Sequence, residues 1–158
     1  MEDKEYYKKL FPLLVDYELI HNSESDDYNC ISYTIGVKSE IIWPNYEFEW
    51  PVKRDLSKES FDSFYEYHGY EKCSMDFSYD PIYTKVALYI NVDKCTHACI
   101  QYNDVFWESK IGSLGIIRHD LFELEDDVYG KVVQIYRKLK KVNEILSFKD
   151  FIEFNLKN

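Results

Sequence analysis

Apolar residues in this chain change spacing several times, and each change marks an element. From Asp3 to Ile20, Tyr7, Leu10, Phe11, Leu14, Tyr17 and Leu19 recur at roughly helical intervals around Pro12. That pattern predicts one packing helix kinked at the proline, or two short ones. His21 to Asp27 is polar and reads as a loop with an acidic end able to cap the next element. Asp26 to Gly36 opens on good N-cap residues and stops at glycine, so a short helix with Cys30 in its first turns is expected. The β-branched Ile31, Thr34 and Ile35 make a strand the competing reading. Ser57 begins a second helix whose apolar face is Phe61, Phe64, Tyr65 and His68 and which ends at Gly69.

The period then falls to two. Tyr83 to Ile90 puts Val86, Leu88 and Ile90 on one face and Lys85, Ala87 and Tyr89 on the other, a core strand. Cys95–Tyr102 and Val105–Ile111 flank Asn103 and Asp104, residues suited to a tight turn, and predict an antiparallel hairpin. Further strands are expected over Ile116–Leu124 and Tyr129–Tyr136, and a closing helix over 143–154 from Ile145, Leu146, Phe148, Phe151 and Ile152. Helices, then antiparallel strands, then a helix describe an α+β domain with helices packed on one face of a sheet. With 158 residues the chain makes one domain with one continuous core.

Composition narrows the function. An aromatic content of 18% belongs to a folding chain rather than a disordered one. A formal charge of −10 repels phosphate backbones, which argues against nucleic acid and favours a basic protein or peptide partner. No apolar run has the length of a secretory core or a membrane span, so a cytoplasmic protein with four reduced cysteines is expected. No glycine-rich phosphate loop occurs, and no cofactor is indicated.

Chemistry is best sought at Cys30 and His97. Unpaired N–H groups at a helix start favour a thiolate, and a thiol hydrolase needs an imidazole from elsewhere in the fold to share the proton. If the hairpin loop is two residues, Lys110 lies opposite His97 and Glu108 diagonal to it, able to orient the ring. A loop one residue longer exchanges Glu108 for Ser109, and His119 on the next strand is a third candidate. Cys73, Cys95, His97 and Cys99 form a weaker zinc reading, since no C-x-x-C pair is present. Trp43, Tyr46, Phe48 and Trp50 can either line a groove or pack the core. The acidic run Glu123, Glu125, Asp126, Asp127 lacks calcium-loop spacing and reads as a solvated turn.

Several segments carry a family likeness. They are Tyr28-Asn29-Cys30-Ile31-Ser32-Tyr33, Trp43-Pro44, Trp50-Pro51, Gly69-Tyr70-Glu71, Lys85-Val86-Ala87-Leu88-Tyr89, Thr96-His97-Ala98, Trp107-Glu108-Ser109-Lys110-Ile111-Gly112 and Tyr129-Gly130-Lys131-Val132-Val133. These resemble a little-characterised bacterial family of small proteins with an N-C-x-x-[AS]-[WY] start, a T-H-A strand and a W-x-S-K-[LI]-G strand. The order of cysteine helix, connecting helix and histidine strand also resembles papain-like cysteine hydrolases of the NlpC/P60 and CHAP type. That resemblance implies a papain-like core over residues 28–137, an N-terminal extension over 1–20, Cys30 as nucleophile and His97 as base. Two functions are expected on these grounds. One is a peptidase, amidase or deamidase acting on an amide or isopeptide bond; the other is a non-catalytic effector or inhibitor that holds a basic partner.

Overall fold

The computed structural model describes residues 4–45, 50–51, 54–126 and 128–141. The helix expected over 143–154, and Tyr46 and Phe48 of the aromatic loop, lie outside these.

Helix α1 runs Lys4–Leu10 and stops there, because Phe11 precedes Pro12 and a residue before proline is pushed out of the helical region. Phe11, Leu14 and Tyr17 stay buried as irregular chain leading to strand β1, Glu18–Leu19. Helix α2 is Cys30–Thr34, with Asn29 as its N-cap. The Ser32 N–H donates to Asn29 Oδ1 at 3.1 Å and the Asn29 N–H donates to Ser32 Oγ at 2.8 Å, a reciprocal capping box. Asn29 Nδ2 also donates to the Ile42 carbonyl, tying the helix start to the following loop. The capping box thus places Cys30 at the first helical residue. Helix α3 is Lys58–Tyr67, capped by Ser57.

The remaining strands are β2 (Glu71–Lys72), β3 (Tyr83–Asn91), β4 (Lys94–Gln101), β5 (Trp107–Lys110), β6 (Ile116–His119) and β7 (Lys131–Leu139). They form one seven-stranded sheet in the order β1-β6-β5-β4-β3-β7-β2, antiparallel at every pairing. The strand expected to continue to Leu124 ends at His119. There the Asp120 side chain accepts from the Phe122 N–H and turns the chain into a 3₁₀ turn, Leu121–Leu124.

The molecule is therefore α+β, with helices on both faces of the sheet rather than one. One core joins α2, α3 and Trp50 to Val86, Leu88, Ala98 and Tyr136. The other joins Tyr7, Phe11, Leu14 and the 3₁₀ turn to Ala87, Tyr89, Cys99, Ile117 and Ile135. Val86 to Tyr89 are buried without alternation, as a central strand covered on both sides must be. Trp50 stacks on Phe64 at 4.4 Å and donates to Ser60 Oγ, and Trp43 meets Phe61 edge-on at 5.5 Å, so both tryptophans hold α3 in place. No helix among the described residues is long and apolar enough to cross a membrane.

Two irregularities position the chemistry. The β3–β4 register shifts between Tyr89 and Ile90, so that Tyr89 faces His97 while Ile90 faces Cys95. At the start of β7, Gly130 has φ of +80°, and a Cβ there would lie 2.0 Å from the Ile90 carbonyl oxygen. Only glycine lets these two segments touch. Gly130→Ala should destabilise the fold by about 2–3 kcal/mol, a fall of roughly 5–10 °C in thermal midpoint read by circular dichroism. Gly36→Ala, at φ +77° but with nothing within 4 Å of the added Cβ, should lose about half as much.

Candidate functional site

The β4–β5 register pairs Ile100 with Glu108 and Gln101 with Trp107, and the Tyr102 N–H donates to the Phe106 carbonyl. The loop is thus Asn103–Val105, three residues, closed by the Asn103 side chain accepting from Val105 and Phe106 N–H groups. One residue more than the minimal turn swaps the faces of β5. Glu108 points away from His97, and its carboxylate takes hydrogen bonds from Tyr33 Oη and Arg118 Nε, each 2.8 Å. Glu108 is not the group that orients His97.

Ser109 and His119 are. His97, Ser109 and His119 are all fully buried. His97 Nε2 lies 2.9 Å from Ser109 Oγ, Ser109 Oγ lies 2.7 Å from His119 Nε2, and His119 Nδ1 lies 2.8 Å from the Asp120 carbonyl. A carbonyl only accepts, so His119 Nδ1 carries its proton and Nε2 bears a lone pair. Ser109 then donates to His119, leaving its oxygen to accept from the N–H of His97 Nε2. The proton of a neutral His97 is therefore fixed on Nε2, and Nδ1 holds a bare lone pair. That nitrogen is buried with no hydrogen-bond partner among the described residues.

Burial, helped by neighbouring His119, holds the His97 imidazole well below its ordinary 6.5, and burial lowers His119 to about 4 despite the Asp120 carbonyl. Both rings are neutral at neutral pH, as the donor chain requires. Tyr129 lies flat on His97, ring centroids 4.1 Å apart and planes 4° from parallel, and Tyr89 meets the ring from β3 at 5.3 Å. The turn that delivers Tyr129 is built by Asp126, whose side chain accepts from the Val128 and Tyr129 N–H groups, and by Gly130 behind it.

Cys30 approaches β4 from the start of α2. Its sulfur takes a hydrogen bond from the backbone N–H of Ala98, the residue after His97, and it packs in the α2 core with Ala98 and Cys95. A backbone N–H lies in the plane of the sheet, so the thiol sits beside β4 at the His97–Ala98 peptide, while the imidazole packs with Tyr89. No hydrogen bond joins Cys30 to His97 Nδ1 among the described residues. Burial pushes the thiol up to about 11. The backbone N–H groups of Ala98, Ile31 and Cys30 and the Lys110 ammonium pull the other way without overcoming it.

Lys110 is itself fully buried, donating to the Ser25 and Gly112 carbonyls with its ammonium 4.9 Å from the Tyr28 ring centre. Neither this charge nor the Tyr129 stack is evident from spacing, although both belong to segments with the family likeness. The zinc reading is corrected. The shift at Thr96 turns Cys95 into the α2 core while Cys99 faces the other, and Cys73 donates to the Ile135 carbonyl. No group of three or more potential ligands that could hold a metal ion occurs among the described residues.

A family model described as a domain of unknown function, DUF7689, matches residues 19–137. The chain belongs to that family. The matched DUF7689 segment runs from β1 into β7 and contains Cys30, the whole histidine relay and Tyr129. No curated protein and no solved structure matches the chain.

Two histidines kept neutral by burial make stability pH-dependent in a definite direction. The unfolded chain binds their protons below about pH 6.5 and the folded chain binds them only at lower pH, so stability rises with pH and is lost as pH falls through this window. Between pH 6.5 and 5 each should contribute a loss of about 2 kcal/mol, above the range where carboxylates usually titrate. Urea unfolding across this interval should show the slope, and His119→Asn should flatten it by about half.

Proposed function

We propose that the chain is a non-catalytic acidic module that holds a basic protein or peptide partner. The observation that carries this reading is that Cys30 is a buried thiol with no hydrogen bond to the free nitrogen of His97. A general base takes its proton through direct hydrogen-bond contact or one water. Here Cys30 packs with Ala98 and Cys95, His97 packs with Tyr89 and Tyr129, and Nδ1 of His97 has no hydrogen-bond partner among the described residues. A thiol raised to about 11 by burial is what an inert structural cysteine has. What remains available to a partner is the field of a chain charged −10 and its exposed acidic loops, which draw cationic surfaces over long range.

A second reading has its own support, the buried lone pair on His97 Nδ1. Leaving a buried acceptor unpaired costs about 1–3 kcal/mol, and three further groups fix the proton at the other nitrogen. A ring held in one tautomer with its accepting atom vacant is what a papain-like hydrolase acting on an amide or isopeptide bond asks of its base. For that chemistry the Cys30 thiol has to reach Nδ1.

Alkylation kinetics separate the two. At pH 7.5 iodoacetamide should modify buried Cys30 more slowly than half-buried Cys73, at a rate that Ser109→Ala leaves unchanged within about twofold. If Cys30 instead outpaces Cys73 by tenfold or more and Ser109→Ala, which keeps the imidazole but frees its tautomer, removes that advantage, the hydrolase stands and the module falls. Binding is read by fluorescence anisotropy of labelled decapeptides. A lysine-rich peptide should bind and weaken severalfold between roughly 50 and 300 mM salt, and a glutamate-rich one should not bind. No binding of the lysine-rich peptide at the lower salt sinks the proposal.

A further inference from the structure

At the start of α2 the molecule carries a cavity of about 390 Å³ lined by Asp26, Tyr28, Asn29, Ile41, Trp43, Gly112 and Ser113. Its size falls within the range of small-molecule and side-chain sites. Two of its walls, Tyr28 and Asn29, belong to the segment that caps α2, and Gly112 lies in the loop that leaves β5. All three elements are pinned. Asn29 is held by the capping box and by Ile42, and Gly112 receives the Lys110 ammonium through its carbonyl. The hollow is therefore preformed, which lowers the ordering cost of filling it.

The lining has a definite character. Tyr28, Ile41 and Trp43 supply apolar and aromatic surface, and Asp26 supplies a carboxylate. Asp26 is exposed, as are Glu24 and Asp27 of the same loop. Lys110, the cation beside this wall, is fully buried against Tyr28 and donates inward to the Ser25 and Gly112 carbonyls. A side chain with a long apolar stem and a positive tip matches this arrangement, laying its methylenes along the aromatic wall and its charge toward the carboxylate. An acidic side chain meets Asp26 and a net charge of −10. Gly112 contributes no side chain, and a Cβ there would meet nothing within 4 Å, so that wall stays open.

We infer that this cavity receives one lysine or arginine side chain of the basic partner. The inference rests on the binding-module reading for its biological meaning, but the recognition is testable with single residues. Three probes are titrated into the full chain: the Nα-acetyl methylamides of lysine, norleucine and glutamate. The Trp43 indole N–H resonance, assigned by its loss in Trp43→Phe, reports occupancy. The lysine probe should shift it in a saturable way, norleucine should bind at least about threefold more weakly, and glutamate should leave it unmoved. Asp26→Asn should weaken lysine binding by about 3–5-fold, the worth of one partly exposed charge pair, and added salt should do the same.

The outcomes that overturn it are distinct. Norleucine binding as tightly as lysine, or lysine binding indifferent to Asp26→Asn, shows an apolar hollow without charge selection and overturns the cation subsite. Salt-sensitive binding of the lysine-rich decapeptide with no movement at Trp43 overturns the subsite and leaves the module in place. Lysine-selective shifts at Trp43 without decapeptide binding keep the cation cavity and overturn the module.

Discussion

The arrangement around His97 depends on one constraint at its far end, the Asp120 carbonyl that can only accept a hydrogen bond. From that oxygen the direction of every donor is set through His119 and Ser109 to Nε2 of His97. No charge is needed for the ordering, and a charge would break it. A doubly protonated His119 would have two donors facing a hydroxyl and a carbonyl, and Ser109 would lose its acceptor. Burial of both rings keeps them neutral, so the same dry environment that makes unpaired polar atoms costly also keeps the relay in one state.

The surrounding fold serves this relay from several elements. β4, β5 and β6 bring the three side chains to one face, and the 3₁₀ turn starts where Asp120 caps it, which presents the Asp120 carbonyl to His119. Tyr129 covers the face of the His97 ring, and the close approach of Gly130 to Ile90 seats that turn against β3. On the other face α2 is too short to stand alone, yet the Asn29–Ser32 capping box and the bond from Asn29 to Ile42 set its first residue against β4. The sulfur thus meets β4 at the peptide that follows His97.

Much of this order was legible in the chain. α3, β3 and β4 emerge from periodicity and capping residues, since long amphipathic runs report which face is buried. What periodicity does not carry is a count. A two-residue hairpin loop would have put Glu108 beside His97, and the extra residue held by Asn103 puts Ser109 there instead. The same limit hides the irregularity at Thr96, which sends Cys95 and Cys99 into different cores although they are four apart on one strand. A slip of one position costs little in local propensity and reverses every side chain, so its resolution comes from contacts distant in sequence. The placement of Cys30 beside β4 is of that kind too. A strand buried on both faces shows only that something covers each side, not which helix covers which.

The energetics of proton transfer and the energetics of register point the same way. Burial pushes the Cys30 thiol up to about 11 and holds His97 well below its ordinary value, so moving a proton from sulfur to Nδ1 is uphill before the attraction of the resulting pair is counted. As a register device the same residues are favourable. If β5 slipped by one position against β4, Ser109 would leave both imidazoles and Glu108 would enter a dry core, so two ring nitrogens would lose their partners at about 1–3 kcal/mol each and a carboxylate would be buried unpaired. Lys110 acts likewise on the opposite face, where only the observed register lets its ammonium reach the Ser25 and Gly112 carbonyls. The buried polar groups of β4, β5 and β6 therefore select one alignment of the strands, and that alignment carries the loop of Gly112 to the start of α2, where the aromatic and acidic walls of the cavity meet.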